Sequence, residues 1–189
     1  MKKLNFFGII FFVFFSFPLF TQEAGSSLPR SFRALDLGMD MESLKKTLLE
    51  DGEFDFNGDA DVSFLPLRKE RVVDVSGGGF IKRAFFQLTD VEGGEGGSSV
   101  QNVFIMSFIL NDEKIDHYSV FTNFVEKYGE PKLMNPKLAL WEDEATRIYI
   151  ERPLTVKYVD KAVFDAAAAA GETLKSKNAV LRDDFLSGF

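Results

Sequence analysis

The stretch that decides the fold is Val100-Gln101-Asn102-Val103-Phe104-Ile105-Met106-Ser107-Phe108-Ile109-Leu110. Val103, Ile105, Ser107 and Ile109 alternate with Phe104, Met106, Phe108 and Leu110, the period of two that sends successive side chains to opposite faces of a strand. Both faces are apolar. Such a run predicts a central strand covered on each side.

Working outward, two further strand signals precede it. Phe80 to Leu88 lies between Gly77-Gly78-Gly79 and Asp90, and Asp61 to Val75 reads as one strand broken at Pro66, which cannot donate to a ladder. The glycine-rich segment 93–99 is the hairpin loop into Val100. Before them, Asp40 is a suitable N-cap, and Met41, Leu44 and Leu48 fall at helical spacing, predicting a helix over 41–50 stopped by Gly52. After Leu110, a second helix starts near Asp116. Phe121, Phe124, Val125 and Tyr128 form its apolar stripe, and Gly129 with Pro131 supplies its stop. Leu138 to Glu142, Arg147 to Ile150 and Leu154 to Val159 then read as three short strands.

The expected fold class is therefore α+β: two helix-plus-three-stranded antiparallel units, αβββ-αβββ, forming one domain over residues 35–160. The tail, 161–189, carries five consecutive alanines (Ala166 to Ala170) and Leu174, Val180, Leu181 and Phe185, and is expected to hold a C-terminal helix.

The start of the chain gives an address. Lys2 and Lys3 precede an apolar run from Leu4 to Phe20 that holds eight of the 22 phenylalanines, followed by the polar Thr21-Gln22-Glu23. The run spans 17 residues, short of the roughly 20 needed to cross a bilayer core, and Pro18 interrupts it. Residues 1–21 are read as a signal peptide in preference to an uncleaved anchor, and 22–34 as a flexible leader. Cleavage before Gln22 or before Ser27 both remain open. The expected location is periplasmic or secreted, with no stable membrane insertion after signal removal. There is no cysteine, so neither a lipidated cysteine nor a disulfide is available.

Removal of residues 1–21 leaves 20 basic against 29 acidic residues, a net charge of −9. That balance repels phosphates and anionic head groups, so nucleic acid and anionic membrane are excluded as partners.

Leu37-Gly38-Met39, just ahead of a short helix, resembles the Gly-Met-helix opening of the small outer-membrane lipoproteins SmpA/BamE, and is similar to the repeats of the β-lactamase inhibitor protein. Tyr128-Gly129-Glu130-Pro131 before a hairpin bearing Trp141 resembles the Gly-x-Pro that follows helices in the same superfamily. The resemblance covers residues 35–160. It implies a periplasmic helix-plus-antiparallel-sheet module that binds proteins and catalyses nothing.

Few residues offer chemistry. His117 is the only histidine, and its neighbour Asp116 gives no positioned dyad by adjacency alone. One histidine without cysteine is a poor zinc, copper or iron set. Asp55, Asn57, Asp59 and Asp61 place oxygens at alternate positions, the opening of a calcium loop. Counted from Asp55, Ala60 stands where glycine is needed and Pro66 where the bidentate acid is needed; counted from Glu53, Phe64 takes that last place. The stretch reads as a turn before it reads as a calcium site. Glu142, Asp143 and Glu144 crowd one hairpin tip, where their expected role is solubility.

The leading expectation is an exported, non-catalytic protein-binding or assembly module without cofactor, whose partner is another envelope protein. Its surface would lie around Trp141, Tyr149 and Tyr158, because aromatics dominate interfaces, although Trp141 also suits a core. The alternative is a small-ligand-binding protein with an apolar pocket lined by Phe104, Phe108, Phe121 and Phe124. A carboxylate-only hydrolase ranks third.

Overall fold

The computed structural model describes residues 27–65, 70–91, 100–169 and 186–188. The expected signal peptide, the glycine-rich loop and all but the start of the expected terminal helix lie outside the described residues.

The chain opens with a two-residue ribbon, β1 (Ser31–Phe32) against β2 (Leu35–Asp36), and enters helix α1 (Met41–Glu50). Five strands follow: β3 (Phe54–Asp55), β4 (Val62–Leu65), β5 (Glu70–Gly77), β6 (Ile81–Val91) and β7 (Val100–Leu110). Helix α2 (His117–Tyr128) leads to β8 (Leu133–Met134), β9 (Leu138–Glu142), β10 (Thr146–Glu151) and β11 (Thr155–Asp160), and α3 (Lys161–Ala169) continues from β11.

These strands build one nine-stranded antiparallel sheet in the order β3-β5-β6-β7-β11-β10-β9-β8, with β4 paired to the outer edge of β5 beside β3. The expected pair of αβββ units is therefore incorrect: among the described residues the protein is mainly β, with α1, α2 and α3 set against one nine-stranded sheet and the β1–β2 ribbon apart from it. Two causes account for the difference. The broken strand expected over 61–75 is in fact the antiparallel pair β4 and β5, running from Val62↔Val73 to Leu65↔Glu70. The two-residue strands β3 and β8 are too short to show any period. The halves are not separate sheets either, because β11 pairs with β7 from Thr155↔Ile109 to Val159↔Ile105.

β7 is central, as its sequence predicts, but its faces are not those of strict alternation. The register against β6 shifts between Gln87↔Ile105 and Leu88↔Val103, which leaves Phe104 unopposed in a bulge. One extra residue reverses the phase. Val103, Met106 and Phe108 join the main core, whereas Phe104 and Ile105 join Val159 in a second cluster on the other side.

The main core lies between the sheet and helices α1 and α2. Met41, Leu44 and Leu48 come from α1; Val120 comes from α2, with Phe121, Phe124, Val125 and Tyr128 partly buried beside it. Phe108 is the hub. Its ring lies 4.5 Å from Phe32, 6.0 Å from Phe86, 6.1 Å from Tyr158 and 6.5 Å from Phe54, distances at which tilted and edge-on rings attract. The second cluster is small and is covered by Val163 and Phe164 of α3 together with Tyr149.

Both longer helices start where their caps predict. Asp40 accepts from the Ser43 amide at 2.9 Å and Asp116 from the Ser119 amide at 2.9 Å. Gly129, at φ +77°, ends α2 in the left-handed region. The expected stop of α1 at Gly52 is not used: the helix is capped by Asp51 in an extended conformation, its amide bonded to Thr47 O. Between β5 and β6, Gly77 is required for space, since a Cβ there would meet Ile81 O at 2.3 Å.

Residues 27–34 of the expected leader are pinned to this frame. Leu28 is buried, its amide donates to Asp143 Oδ2 at 2.6 Å, and Arg30 pairs with Asp160 at 2.5 Å. Further on, Gly38 N donates to Val103 O at 2.7 Å and Val103 N to Met39 O at 2.8 Å. The Leu37-Gly38-Met39 turn, with Gly38 at φ +93°, thus fills the stretch of β7 edge that β11 leaves uncovered.

Because Phe108 is 1% exposed and touches four rings, Phe108→Ala should lower the free energy of unfolding by about 3–5 kcal/mol in urea titration. A loss below about 1 kcal/mol would contradict its place at the centre of the core.

Candidate functional site

The features that invite a ligand lie around the first turns of α2. Asn135 Oδ1 accepts from the Lys137 amide at 2.8 Å and the Leu138 amide at 3.1 Å, folding the β8–β9 connection into a tight turn. Arg152 N donates to Lys137 O at 2.9 Å, which ties that turn to the end of β10. Between this hairpin and α2 opens a cavity of about 440 Å³, walled by Tyr118, Phe121, Met134, Leu138 and Ala139, with Asp116, His117, Asn135 and Arg152 at its polar margin. Tyr118 is 75% exposed, Met134 65% and the adjacent Leu133 50%. Leu133, opposite Leu140 and through it in line with Tyr149, is on the other face of the sheet, so Tyr118 and Met134 are the two large apolar side chains exposed at the opening itself.

At the polar margin Asp116 and His117 do not form a hydrogen-bonded dyad. Asp116 turns both carboxylate oxygens to Ser119, at 2.9 Å to its amide and 2.6 Å to its hydroxyl, so it does not orient His117. Those bonds hold the Asp116 carboxyl below its ordinary value. Burial pushes the His117 imidazole below its ordinary value, and nearby Arg152 lowers it further, while Asp116 acts weakly in the other direction. The Arg152 guanidinium has no carboxylate or hydrogen-bond partner among the described residues.

A second, larger hollow of about 640 Å³ lies at the other end of the β9 hairpin, beside Leu28, Tyr128, Lys132 and Glu142. It borders a network of ions. Glu142 accepts from Lys132 at 2.8 Å, Arg147 at 2.8 Å and Lys161 at 3.0 Å, and Arg147 reaches on to Asp165. These three cations, Lys132 foremost, hold Glu142 at about 2. Asp143 accepts from the amides of Leu28, Ala145 and Thr146. Two of the three acids expected to serve solubility therefore fasten the hairpin to the N-terminal segment and to α3.

The residues singled out in the sequence are placed differently from one another. Trp141 is 2% exposed, its Nε1 donates to Gly129 O at 2.8 Å, and Phe121 and Phe124 stack near it. Tyr158 is buried beside Phe108, and burial drives its phenol well above the usual range. Ile148 pairs with both Trp141 and Tyr158, so these three share the core face. Tyr149 is on the opposite face, half-buried, with Lys157 Nζ 5.9 Å from its ring centre and its phenol raised by burial. Phe104, Phe108, Phe121 and Phe124 line no common pocket: Phe104 belongs to the second cluster, Phe108 to the centre of the core, and only Phe121 reaches the cavity.

Asp55, Asn57, Asp59 and Asp61 surround a single turn of 3₁₀ helix at Gly58–Asp61. Asp61 accepts from the Asn57 amide at 2.7 Å, Asn57 Nδ2 donates to Asp55 O, and Asp59 pairs with Lys45 at 2.9 Å. Among the described residues no group of three or more acids and histidines is placed to hold a metal ion. Among them, too, no helix is long and apolar enough to cross a membrane.

The TP0088 domain family matches residues 30–170. This chain belongs to the TP0088 domain family. The match begins at Arg30, so the Arg30 anchor of the leader, the whole nine-stranded sheet and α3 fall inside the TP0088 domain, and the Leu28 anchor lies just ahead of it. No curated protein and no solved structure matches the chain.

Sequence reasoning missed Tyr118, Met134 and Arg152. A signal for the first two existed: Leu133-Met134 is an apolar pair between Pro131 and Pro136, and Tyr118 precedes the α2 stripe by one turn. Nothing local marked Arg152, which the β10–β11 connection brings to the cleft.

A carboxyl whose value falls on folding stabilises the protein above its unfolded value, near 4.5 for Glu142, and that stabilisation drains as pH drops toward 2. Glu142→Gln should therefore flatten the fall in the urea midpoint between about pH 4.5 and 2. An unchanged slope across that window would show that the three-cation cluster is not formed in solution.

Proposed function

We propose that this chain is an exported, soluble, non-catalytic module of the cell envelope that binds another envelope protein, and that the cleft between α2 and the β8–β9 turn is its binding surface. The observation that carries this reading is the pair of exposed apolar side chains, Tyr118 and Met134, that face each other across one opening with Phe121, Leu138 and Ala139 beneath. Aromatic and methionine side chains are the usual anchors of protein interfaces, and exposing them in water without a partner is unfavourable. The Lys2-Lys3 start with its phenylalanine-rich run supports export. Non-catalysis is supported by the side chains themselves: His117 lacks an orienting carboxylate, and Glu142 is kept ionised by cations instead of poised to move a proton. The resemblance of Leu37-Gly38-Met39 and Gly129-Glu130-Pro131 to the SmpA/BamE group points the same way.

A cavity of about 440 Å³ also falls within the size of small-molecule sites. Such sites enclose most of their ligand, whereas here the flanking Met134 is 65% and Tyr118 75% exposed, which suits a polypeptide laid across the opening.

A photo-reactive residue placed at Met134 should form adducts with a discrete envelope protein in intact cells, and the same group at Lys82, on the far part of the sheet, should not. Tyr118→Ser should reduce the Met134 adduct several-fold without lowering the melting temperature. Equal labelling from both positions, or an unprocessed N-terminus in the cytoplasm, would overturn the proposal.

A further inference from the structure

Resting on that reading of the cleft, the distribution of charge around it specifies the chemistry of its partner. Arg30, Arg33, Lys45, Arg83, Arg147 and Lys161 each lie within 4.0 Å of a carboxylate, whereas among the described residues Arg71, Lys82, Lys114 and Lys127 are outside such pairs and line neither hollow. What sets the cleft apart is an unpaired cation at the rim of an apolar cavity. Arg152 lines the cavity with its guanidinium unpaired, and Lys137, whose carbonyl accepts the Arg152 amide, likewise has no carboxylate partner among the described residues. His117 stands beside them, close enough for its proton affinity to be altered by Arg152. The one carboxylate at this margin, Asp116, has both oxygens turned to Ser119. The wall below is apolar, formed by Phe121, Leu138 and Ala139.

We infer that the cleft recognises a partner polypeptide segment in which a large apolar side chain is followed or preceded by a carboxylate, the apolar group seated between Tyr118 and Met134 and the carboxylate on Arg152 and Lys137. A bare apolar anchor would bury the edge of a guanidinium without pairing it, which costs binding energy. A basic segment would meet two like charges. An acidic segment fits both requirements, and arginine's planar fork matches a carboxylate geometrically. The recognition is local, because the net charge of the chain would repel an acidic partner elsewhere on the surface.

The test uses the full mature chain and two capped peptides, acetyl-Gly-Asp-Leu-Phe-Gly-amide and its counterpart with Asn in place of Asp, titrated while the Tyr118 and Met134 resonances are followed. The Asp peptide should bind roughly tenfold more tightly than the Asn peptide. The double substitution R152Q and K137Q, at two exposed positions, should abolish that difference while leaving the melting temperature unchanged. Equal affinity for the two peptides, a preference that survives the double substitution, or no shift with either peptide at millimolar concentration would overturn the inference. The two readings fail separately. A Met134 adduct in cells mapped to a segment without an acidic residue keeps the protein-binding role and removes the charge assignment; loss of the Met134 adduct removes both.

Discussion

The ladder between β7 and β11 is the interaction on which the rest of the structure depends. Five residue pairs, from Thr155↔Ile109 to Val159↔Ile105, fuse what would otherwise be two separate antiparallel meanders. Each meander alone would end in a long unpaired edge, exposed to any other strand. Joining them places β7 in the middle of the sheet, where its two apolar faces can both be covered. It also fixes the path of the intervening chain, since α2 must cross the sheet to bring β8 to the far side. β11 ends opposite Ile105, so the first part of β7 still has an open edge. The backbone at Gly38 and Met39 fills it, and from that contact follows the docking of the whole N-terminal segment.

A second set of constraints holds the far corner. Arg30 with Asp160, Leu28 N with Asp143, and Lys161 and Arg147 with Glu142 connect segments separated by 5 to 130 residues in sequence. Asp160 also accepts from the Val163 amide and so starts α3. Surface ion pairs taken singly contribute little, but here one carboxylate with 12% exposure satisfies three cations, and the groups are held by backbone elements already in place. The network therefore positions the N-terminal segment and α3 more than it adds to total stability. Phe164 of α3 is brought over the Phe104 bulge by the same arrangement.

What could be read in the sequence follows from range. Met41 to Glu50, Val100 to Leu110 and Leu138 to Glu142 have the boundaries their periodicity predicts, because caps and alternation are local signals. The sheet order was not legible, since nothing in β11 names β7 as its neighbour. The Phe104 bulge was hidden for a related reason: in a run apolar on both faces, a one-residue shift of phase leaves no trace in the composition. The aromatic residues expected at the surface show the same limit. Trp141, Tyr149 and Tyr158 are close in sequence and register, yet the alternation of strands sends Tyr149 away from the other two. Glu142 and Asp143 read as solvated acids because the cations that hold Glu142 and the Leu28 amide that Asp143 accepts lie on other elements.

The edge strand beside the cleft shows why an apolar patch can persist there without uncontrolled association. β8 is the terminal strand of the sheet, but it is two residues long and lies between Pro131 and Pro136. Proline removes a backbone donor, and a strand this short offers little ladder to extend, so pairing with a foreign strand is suppressed. The side chains of Leu133 and Met134 are left exposed all the same. A partner at the cleft must therefore engage Met134 through side-chain packing and not through strand addition. Recognition of that kind depends on which residues the partner presents, whereas backbone pairing would accept almost any extended sequence. The protected edge and the exposed apolar group thus act together: one removes the unselective mode of association, and the other leaves room for a selective one.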